Sequence, residues 1–320
     1  METEIRSSYT YMGRTFNNLS TTNDDSTAFS DCNSDRSGEF PMTSSQSRRL
    51  LLSCAPENYD DLIRQLVSGL ESSSIDDQKQ AAMELRLIAK NKPENRVKIA
   101  RAGAIRPLIF LISSSDPQFQ EYGVTTILNL SLCDENKEQL ACSGAIKPLV
   151  RALKIRTSTA KENAACALLR LSQLDENKYA IEWSGAIPSL VSLLESGSIR
   201  GKKDASTALY SLCSVKENKI RAVEAGIMKA LVELMADFRS NMVDKSTFVM
   251  SILVSTAEAR SSLICDESVV YRSMVAREGA IHPLVALSQS GTNQAKQKAE
   301  TLIELLWRPR SGNIGGSVDM

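Results

Sequence analysis

The sequence has few of the residues on which enzyme chemistry usually depends. It contains one histidine, His282, and its seven cysteines form no C-x-x-C pair, so neither a catalytic histidine nor an ordinary zinc site is expected. Basic and acidic residues balance at 38 each, which removes the bulk attraction expected of a nucleic-acid-binding protein. No apolar run is long enough to span a bilayer, and the N-terminus has no hydrophobic signal core. These absences predict a non-enzymatic protein without cofactor or metal, located in the cytoplasm, the nucleus or both, with reduced thiols.

What the sequence does contain is a repeat of 41 residues. Four glycines lie one period apart, and each follows by nine residues a glutamate that opens a Glu-Asn-basic triplet. The glycines are Gly103, Gly144, Gly185 and Gly226, and the glutamates are Glu94, Glu135, Glu176 and Glu217. A unit of this size cannot bury its own apolar face, so neighbouring units must stack into a solenoid with a long surface for binding. The recurrence of the glutamates indicates a role at helix starts rather than in acid-base catalysis.

Each repeat is predicted to hold three helices. A short first helix, Lys137 to Ser143 in one repeat, ends at Gly144, and proline falls in the first turn of the second helix. The second helices share one leucine column, with a second apolar column four residues later: Leu108, Leu149, Leu190, Leu231 and Leu284, then Ile112, Leu153, Leu194 and Met235. The core stripe of the third helices recurs at three-residue spacing: Ile127 and Leu130, Leu168 and Leu171, Leu209 and Leu212, Met250 and Leu253.

These motifs resemble the armadillo repeat. The pattern E-N-[KR]-x(6)-G-A-I-x-P-L-[VI], with a third helix ending L-x-N-L-[SA], is most similar to the repeat domains of plant U-box/armadillo proteins, over residues 60 to 307. The resemblance implies an all-α, right-handed superhelix of about six repeats, one of them truncated. It also implies binding of other proteins, often through a concave face formed by the third helices. No stretch resembles the U-box that recruits the ubiquitin-conjugating enzyme, so ligase activity is not expected.

The period is interrupted once, between Gly226 and Gly279, which lie 53 residues apart instead of 41. Two repeat starts crowd together there, and the favoured hypothesis is that one repeat lacks its second and third helices. The alternative is a loop insertion of 12 residues, a kind of change that solenoids tolerate. Either way, residues 258 to 279 form the irregular segment.

The ends of the chain differ in composition from the array. Residues 1–57 are rich in Ser, Thr and Asn and show no helical period, so this segment and the tail 309–320 are expected to be disordered around an array at 58–308. Ser37 and Ser53 each follow arginine and are candidate kinase sites.

Candidate binding residues lie in three columns of the third helices. The resemblance implies that a family asparagine, which bonds a peptide backbone, corresponds to Asn129, with Arg86, Arg170 and Ser211 in its column. A family tryptophan column contains Thr125, and a further row on the same face holds Lys79, Tyr122, Asn163, Asp204 and Lys245. Since only Asn129 matches, capture of a basic peptide is not favoured, and the arginines suit an acidic or phosphorylated segment instead.

Two functions stay open on this basis. The first is a free-standing scaffold that binds a partner protein through the third-helix face, without contact to nucleic acid and without a membrane span. The second is an adaptor or competitor in ubiquitin-dependent protein turnover, resembling the substrate-binding half of a U-box ligase. The sequence favours the first, because nothing in it resembles the catalytic half.

Overall fold

Residues 59–154, 157–237, 239–254 and 276–307 are described by a computed structural model of the protein. They form sixteen helices and, within these ranges, no strand. In chain order the helices are α1 Tyr59–Leu70, α2 Ile75–Asn91, α3 Pro93–Arg101, α4 Ile105–Ile112, α5 Pro117–Ser131, α6 Asp134–Cys142, α7 Ile146–Ala152, α8 Ser158–Leu171, α9 Asp175–Trp183, α10 Ala186–Ser196, α11 Ile199–Leu212, α12 Lys216–Glu224, α13 Ile227–Ala236, α14 Val243–Val254, α15 Ile281–Ser290 and α16 Asn293–Trp307. The predicted three-helix unit is confirmed: α1 and α2 belong to the first repeat, α15 and α16 to the last, and the four repeats between them have three helices each.

The repeated glycines end the first helices. All five, including Gly279, have a left-handed backbone with φ between 76° and 91°, a conformation that residues with a Cβ adopt only at a cost. At Gly144 the turn is closed by two backbone bonds, from the Gly144 amide to the Ala141 carbonyl and from the Ala145 amide to the Leu140 carbonyl. The first helix α6 begins at Asp134, three residues before the predicted start, because the acidic residues form its first turn.

In three of the four Glu-Asn-basic triplets, the asparagine joins the first helix to the third helix before it. Nδ2 of Asn136 donates to the Leu130 carbonyl at 3.1 Å, and Asn177 and Asn218 make the equivalent bond to carbonyls at 3.0 and 2.8 Å. These carbonyls lie in the last turn of a third helix, where no intrahelical donor is left. The motif therefore recurs because it closes the end of one helix while starting the next.

The predicted apolar columns form the core. The leucine column of the second helices is fully buried in all five repeats that carry it, and the third-helix stripe is no more than 1% exposed. Both surfaces belong to one continuous hydrophobic cluster from Ile63 to Leu302. The repeats thus share one core, as stacking units must.

The third helices form one uninterrupted row. Each packs on the next, in the order α2, α5, α8, α11, α14 and α16. The last of these contacts, α14 with α16, brings together helices on either side of residues 255–275. The predicted irregular segment 258–279 lies outside the described residues except for 276–279, and so do the predicted disordered segment 1–57 and tail 309–320. Among the helices that the structure describes, none has the length and apolar character needed to cross a membrane.

Candidate functional site

All eight predicted binding residues lie on the row of third helices, but most of them are buried. Only Arg170 is partly exposed, and the remaining seven have 7% or less of their surface exposed: Arg86, Tyr122, Thr125, Asn129, Asn163, Asp204 and Ser211. Instead of standing free in solvent, several of them connect one repeat to the next. A contact with a partner through these positions remains a prediction.

In the first two repeats the polar contacts join α2 to α5. Nδ2 of Asn129 donates to the Arg86 carbonyl at 3.3 Å, and the Arg86 guanidinium lies 5.9 Å from the centre of the Tyr122 ring, a cation–π distance. Burial raises the pKa of the Tyr122 phenol, against the opposing effect of Arg86. Asn129, the residue that matches the family asparagine, thus holds two repeats together.

A hydrogen-bonded chain continues from α5 through α8 to α11. Nδ2 of Asn163 donates to Oγ1 of Thr125 at 2.8 Å. Oδ1 of Asn163 accepts from Nη2 of Arg200 at 2.7 Å. One amide side chain therefore connects three consecutive repeats and fixes the position of the Arg200 guanidinium.

Arg200 lies between two carboxylates that are themselves largely buried. Its guanidinium lies 3.7 Å from Oε2 of Glu162 and 3.6 Å from Oδ2 of Asp204, and Glu162 also accepts a hydrogen bond from the Ser198 hydroxyl. Arg170 and Lys245 lie close enough to act on Asp204 electrostatically. These five charged residues, Glu162, Arg170, Arg200, Asp204 and Lys245, are called the central charged cluster below.

Burial is not fully compensated at Asp204. Loss of hydration raises the pKa of its carboxyl from 3.8 to about 6, even though Arg200 acts in the opposite direction. Oδ2 of Asp204 accepts no hydrogen bond within the part of the chain that the structure describes. The separation of 3.6 Å from Arg200 is an ion pair but too long for a good hydrogen bond. The cluster therefore holds a buried carboxylate oxygen that lacks a hydrogen-bond donor.

The end of the row is less charged. The hydroxyl groups of Ser211 and Ser172 lie 2.8 Å apart and join α11 to the turn that follows α8. Nζ of Lys298 lies 5.1 Å from the centre of the Phe248 ring, and Oγ1 of Thr292 donates to Oδ1 of Asp244 at 2.9 Å. Both contacts connect the fifth repeat to the last one.

Two members of the central charged cluster, Glu162 and Arg200, are absent from the sequence-based prediction. A search by columns selects residues that recur or that match a family position, and neither does: Glu162 is followed one period later by Lys203, and Arg200 is preceded one period earlier by Thr159. The only signal for them is that their charge does not recur at the equivalent positions of the neighbouring repeats.

Across the described ranges no three His, Cys, Asp or Glu residues are grouped so that they could hold a metal ion. The one histidine, His282, is exposed at the start of α15, away from the central charged cluster. What the cluster offers is a set of fixed charges of both signs that can bind charged and hydrogen-bonding groups of another molecule.

The family follows from a match to the plant U-box protein ARM repeat region over residues 58–277. This match covers more than half of the chain, which therefore belongs to this armadillo repeat family. Shorter stretches match curated relatives: U-box domain-containing protein 12 of Oryza sativa subsp. japonica is 52% identical over 67 residues (21% of this chain, 11% of that protein). E3 ubiquitin-protein ligase SPL11, also of Oryza sativa subsp. japonica, is 42% identical over 97 residues (30% of this chain, 14% of that protein). The chain thus matches only a small part of the length of these relatives.

Solved structures confirm the fold. A computationally designed armadillo repeat protein for modular peptide recognition has a TM-score of 0.66 at 23% identity, covering 76% of this chain and 99% of its own. A designed armadillo repeat protein in complex with the peptide (KR)4 has a TM-score of 0.65 at 23% identity, with the same coverage. The protein is therefore an all-α armadillo solenoid, as predicted.

Proposed function

We propose that the chain is a non-catalytic scaffold of the cytoplasm or nucleus that binds a partner protein through its concave third-helix face. The observation that carries the proposal is the central charged cluster. Charges held in a largely buried position cost stability unless they are well paired, and Asp204 is not fully paired. Apolar residues would suit a face that only stacks repeats, so the charges kept on this face support a role in binding a charged ligand.

The charges favour an acidic or phosphorylated segment of the partner. The cluster contains three cations, Arg170, Arg200 and Lys245, against the two carboxylates of Glu162 and Asp204. Its excess is positive, and it becomes more positive when Asp204 takes up a proton. Arg170 and Arg200 are the partly exposed members, so a carboxylate or phosphate would first make contact with these guanidinium groups. In the designed armadillo repeat protein in complex with (KR)4, the bound peptide is positively charged. For this chain we expect a ligand segment of the opposite, negative charge.

The test is a comparison of the proteins captured by full-length baits from an extract. The baits are the wild-type chain, Arg170→Glu on the third-helix face and Ser192→Glu on the exposed side of the second helix α10. We expect stable partners with the wild type and Ser192→Glu but not with Arg170→Glu, because a reversed charge repels an acidic segment. The same partners on all three baits would place the interaction on another face.

The adaptor role in ubiquitin-dependent turnover is the second candidate. It is favoured by the similarity to the repeat portion of relatives that include an E3 ubiquitin-protein ligase. The same capture experiment separates the two candidates. Recovery of ubiquitin-conjugating machinery or of ligase substrates supports the adaptor, and stable partners without that machinery support the free-standing scaffold.

A further inference from the structure

Four basic residues and one phenylalanine form an exposed group on the second helices of the second and third repeats. Arg106 and Phe110 are one turn apart on α4, and Lys147 and Arg151 are one turn apart on α7, so they share one face of each helix. Each α7 residue lies one period after its α4 counterpart, and α4 packs against α7. Nη2 of Arg151 donates to Oγ of Ser113 at the end of α4, at 3.1 Å. The group is completed by Lys154, three residues after Arg151.

These five residues, Arg106, Phe110, Lys147, Arg151 and Lys154, are called the second-helix patch. All five are exposed, and 75% of the Phe110 surface is accessible. None of the four cations forms an ion pair with any residue of the described ranges. The local sequence explains this: no Asp or Glu occurs from Asn95 to Ser115 or from Gln139 to Lys161. In a chain of zero net charge, the basic excess is concentrated on one surface.

The patch is specific to two repeats. In the fourth repeat the positions of Lys147, Arg151 and Lys154 are occupied by Pro188, Ser192 and Glu195. In the fifth repeat the column of Lys147 again has a lysine, Lys229, but the column of Arg151 has Glu233, and the two lie 4.0 Å apart as an ion pair. The second-helix face thus changes from unpaired positive charge to neutralised charge along the array. A merely solvated helix face does not require such a gradient.

We propose that the second-helix patch is a second docking surface, for an acidic segment of a partner protein that carries an apolar side chain among its carboxylates. The charge complementarity is direct, since two adjacent helices present cations without ion-pair partners to the carboxylates of an extended segment. Phe110 lies one turn after Arg106 and one period before Arg151. An apolar side chain of the ligand that packs on the Phe110 ring buries it from water. This aromatic centre favours a protein segment over a bare polyanion, which has no apolar group to offer.

The inference goes beyond the proposed concave site because it involves the second helices of the repeats, whereas the concave site involves the third helices. The patch lies on α4 and α7, whereas the central charged cluster lies on α8, α11 and α14. The two surfaces therefore have separate variants, and the failure of one leaves the other standing.

The experiment measures binding of fluorescein-labelled peptides to the full-length chain by fluorescence anisotropy. The probes are a peptide of repeated Glu-Glu-Leu units and a polyglutamate peptide of equal length. The patch variant is Arg106→Glu with Arg151→Glu, and the matched control is Lys229→Glu, in the same column as Arg106 but in the fifth repeat. Glutamate is compatible with the fold at the Arg151 column, because Glu233 already occupies it. Circular dichroism verifies that each variant is folded.

We expect the Glu-Glu-Leu probe to bind the wild type and Lys229→Glu with equal affinity. Its affinity for the patch variant should be lower by about tenfold or more, because several surface ion pairs are lost. Phe110→Ala should weaken the Glu-Glu-Leu probe but leave polyglutamate unchanged. Equal binding to wild type and patch variant, or no binding to wild type, would overturn the proposal. Loss of binding in Arg170→Ala but not in the patch variant would overturn it in favour of the concave site. Tighter binding of single-stranded DNA or of phosphatidylserine vesicles would identify a general polyanion surface instead.

Discussion

Replacing Asp204 by asparagine should stabilise the protein at neutral pH. The carboxyl has a pKa of about 6 in the folded chain against 3.8 for the ordinary group, so the native state holds this proton more tightly than the unfolded state does. The stability linked to this proton is fully present below 3.8 and is lost as the pH rises through about 6. At 1.36 kcal/mol for each pKa unit, the ionised carboxylate costs about 3 kcal/mol relative to its protonated form. Asp204→Asn resembles the protonated form at every pH and avoids this cost.

The assay is urea unfolding of full-length wild type and Asp204→Asn, followed by circular dichroism. The quantity compared is the free energy of unfolding of Asp204→Asn minus that of the wild type. This difference should be close to its minimum near pH 4 and larger by about 3 kcal/mol near pH 8, in favour of Asp204→Asn. Glu195→Gln, at an exposed position of α10, is the control and should change stability by no more than about 0.5 kcal/mol. A less stable Asp204→Asn at pH 8 would mean that the pairing with Arg200 outweighs the loss of hydration. The cluster would then be a stabilising ion pair, and the reasoning that assigns it to binding would fail.

Three further predictions test the array itself. Leu171→Ala should cost about 2 to 5 kcal/mol in the free energy of unfolding, because the side chain is fully buried between repeats; a cost below about 1 kcal/mol in urea unfolding would show that the stripe does not form the core. Gly185→Ala should cost about 1 to 2 kcal/mol in the free energy of unfolding through backbone strain alone, since φ is 76° and an added Cβ would meet no atom within 4 Å. Gly185→Asn should cost less, because asparagine tolerates the left-handed conformation better. Equal costs for the two variants would disprove backbone strain as the cause. In the native protein, iodoacetamide should modify the exposed Cys142 but not Cys213, whose burial raises its thiol pKa to about 12; peptide mapping that finds Cys213 modified as fast as Cys142 would contradict the structure.

The fold could be predicted from the sequence to the level of individual columns. Stacked repeats place equivalent residues in equivalent environments, so the 41-residue period fixed which leucines are buried and where each glycine turns the chain. The glutamate of each triplet does lie in a first turn, but in three of the four triplets the asparagine beside it proved to be the residue that closes the preceding helix. Its contact partner is a backbone carbonyl, which leaves no trace in a side-chain pattern.

The candidate site could be predicted only in part. The columns placed the candidate residues on the row of third helices, where the structure has them, but they gave no measure of burial, which depends on how closely successive third helices pack. Asn129 and Asn163 were predicted as ligand contacts and are placed by the structure in bonds between repeats. Glu162 and Arg200 were not predicted, because the prediction used residues that recur from repeat to repeat and neither of these two does. Non-repeated charge on a repeated surface is the signal that would have identified them.

The most direct test of the concave binding site is the dissociation constant of a captured partner, measured by calorimetry against the full-length wild type, Arg170→Ala and the control Ser192→Glu. A lost hydrogen bond to a charged group is worth about 1.5 to 3 kcal/mol, so Arg170→Ala should bind the partner roughly 10 to 150 times more weakly. Ser192→Glu, on the other side of the array, should bind as the wild type does. Unchanged affinity in Arg170→Ala with the fold intact would contradict the account and place the partner elsewhere on the superhelix.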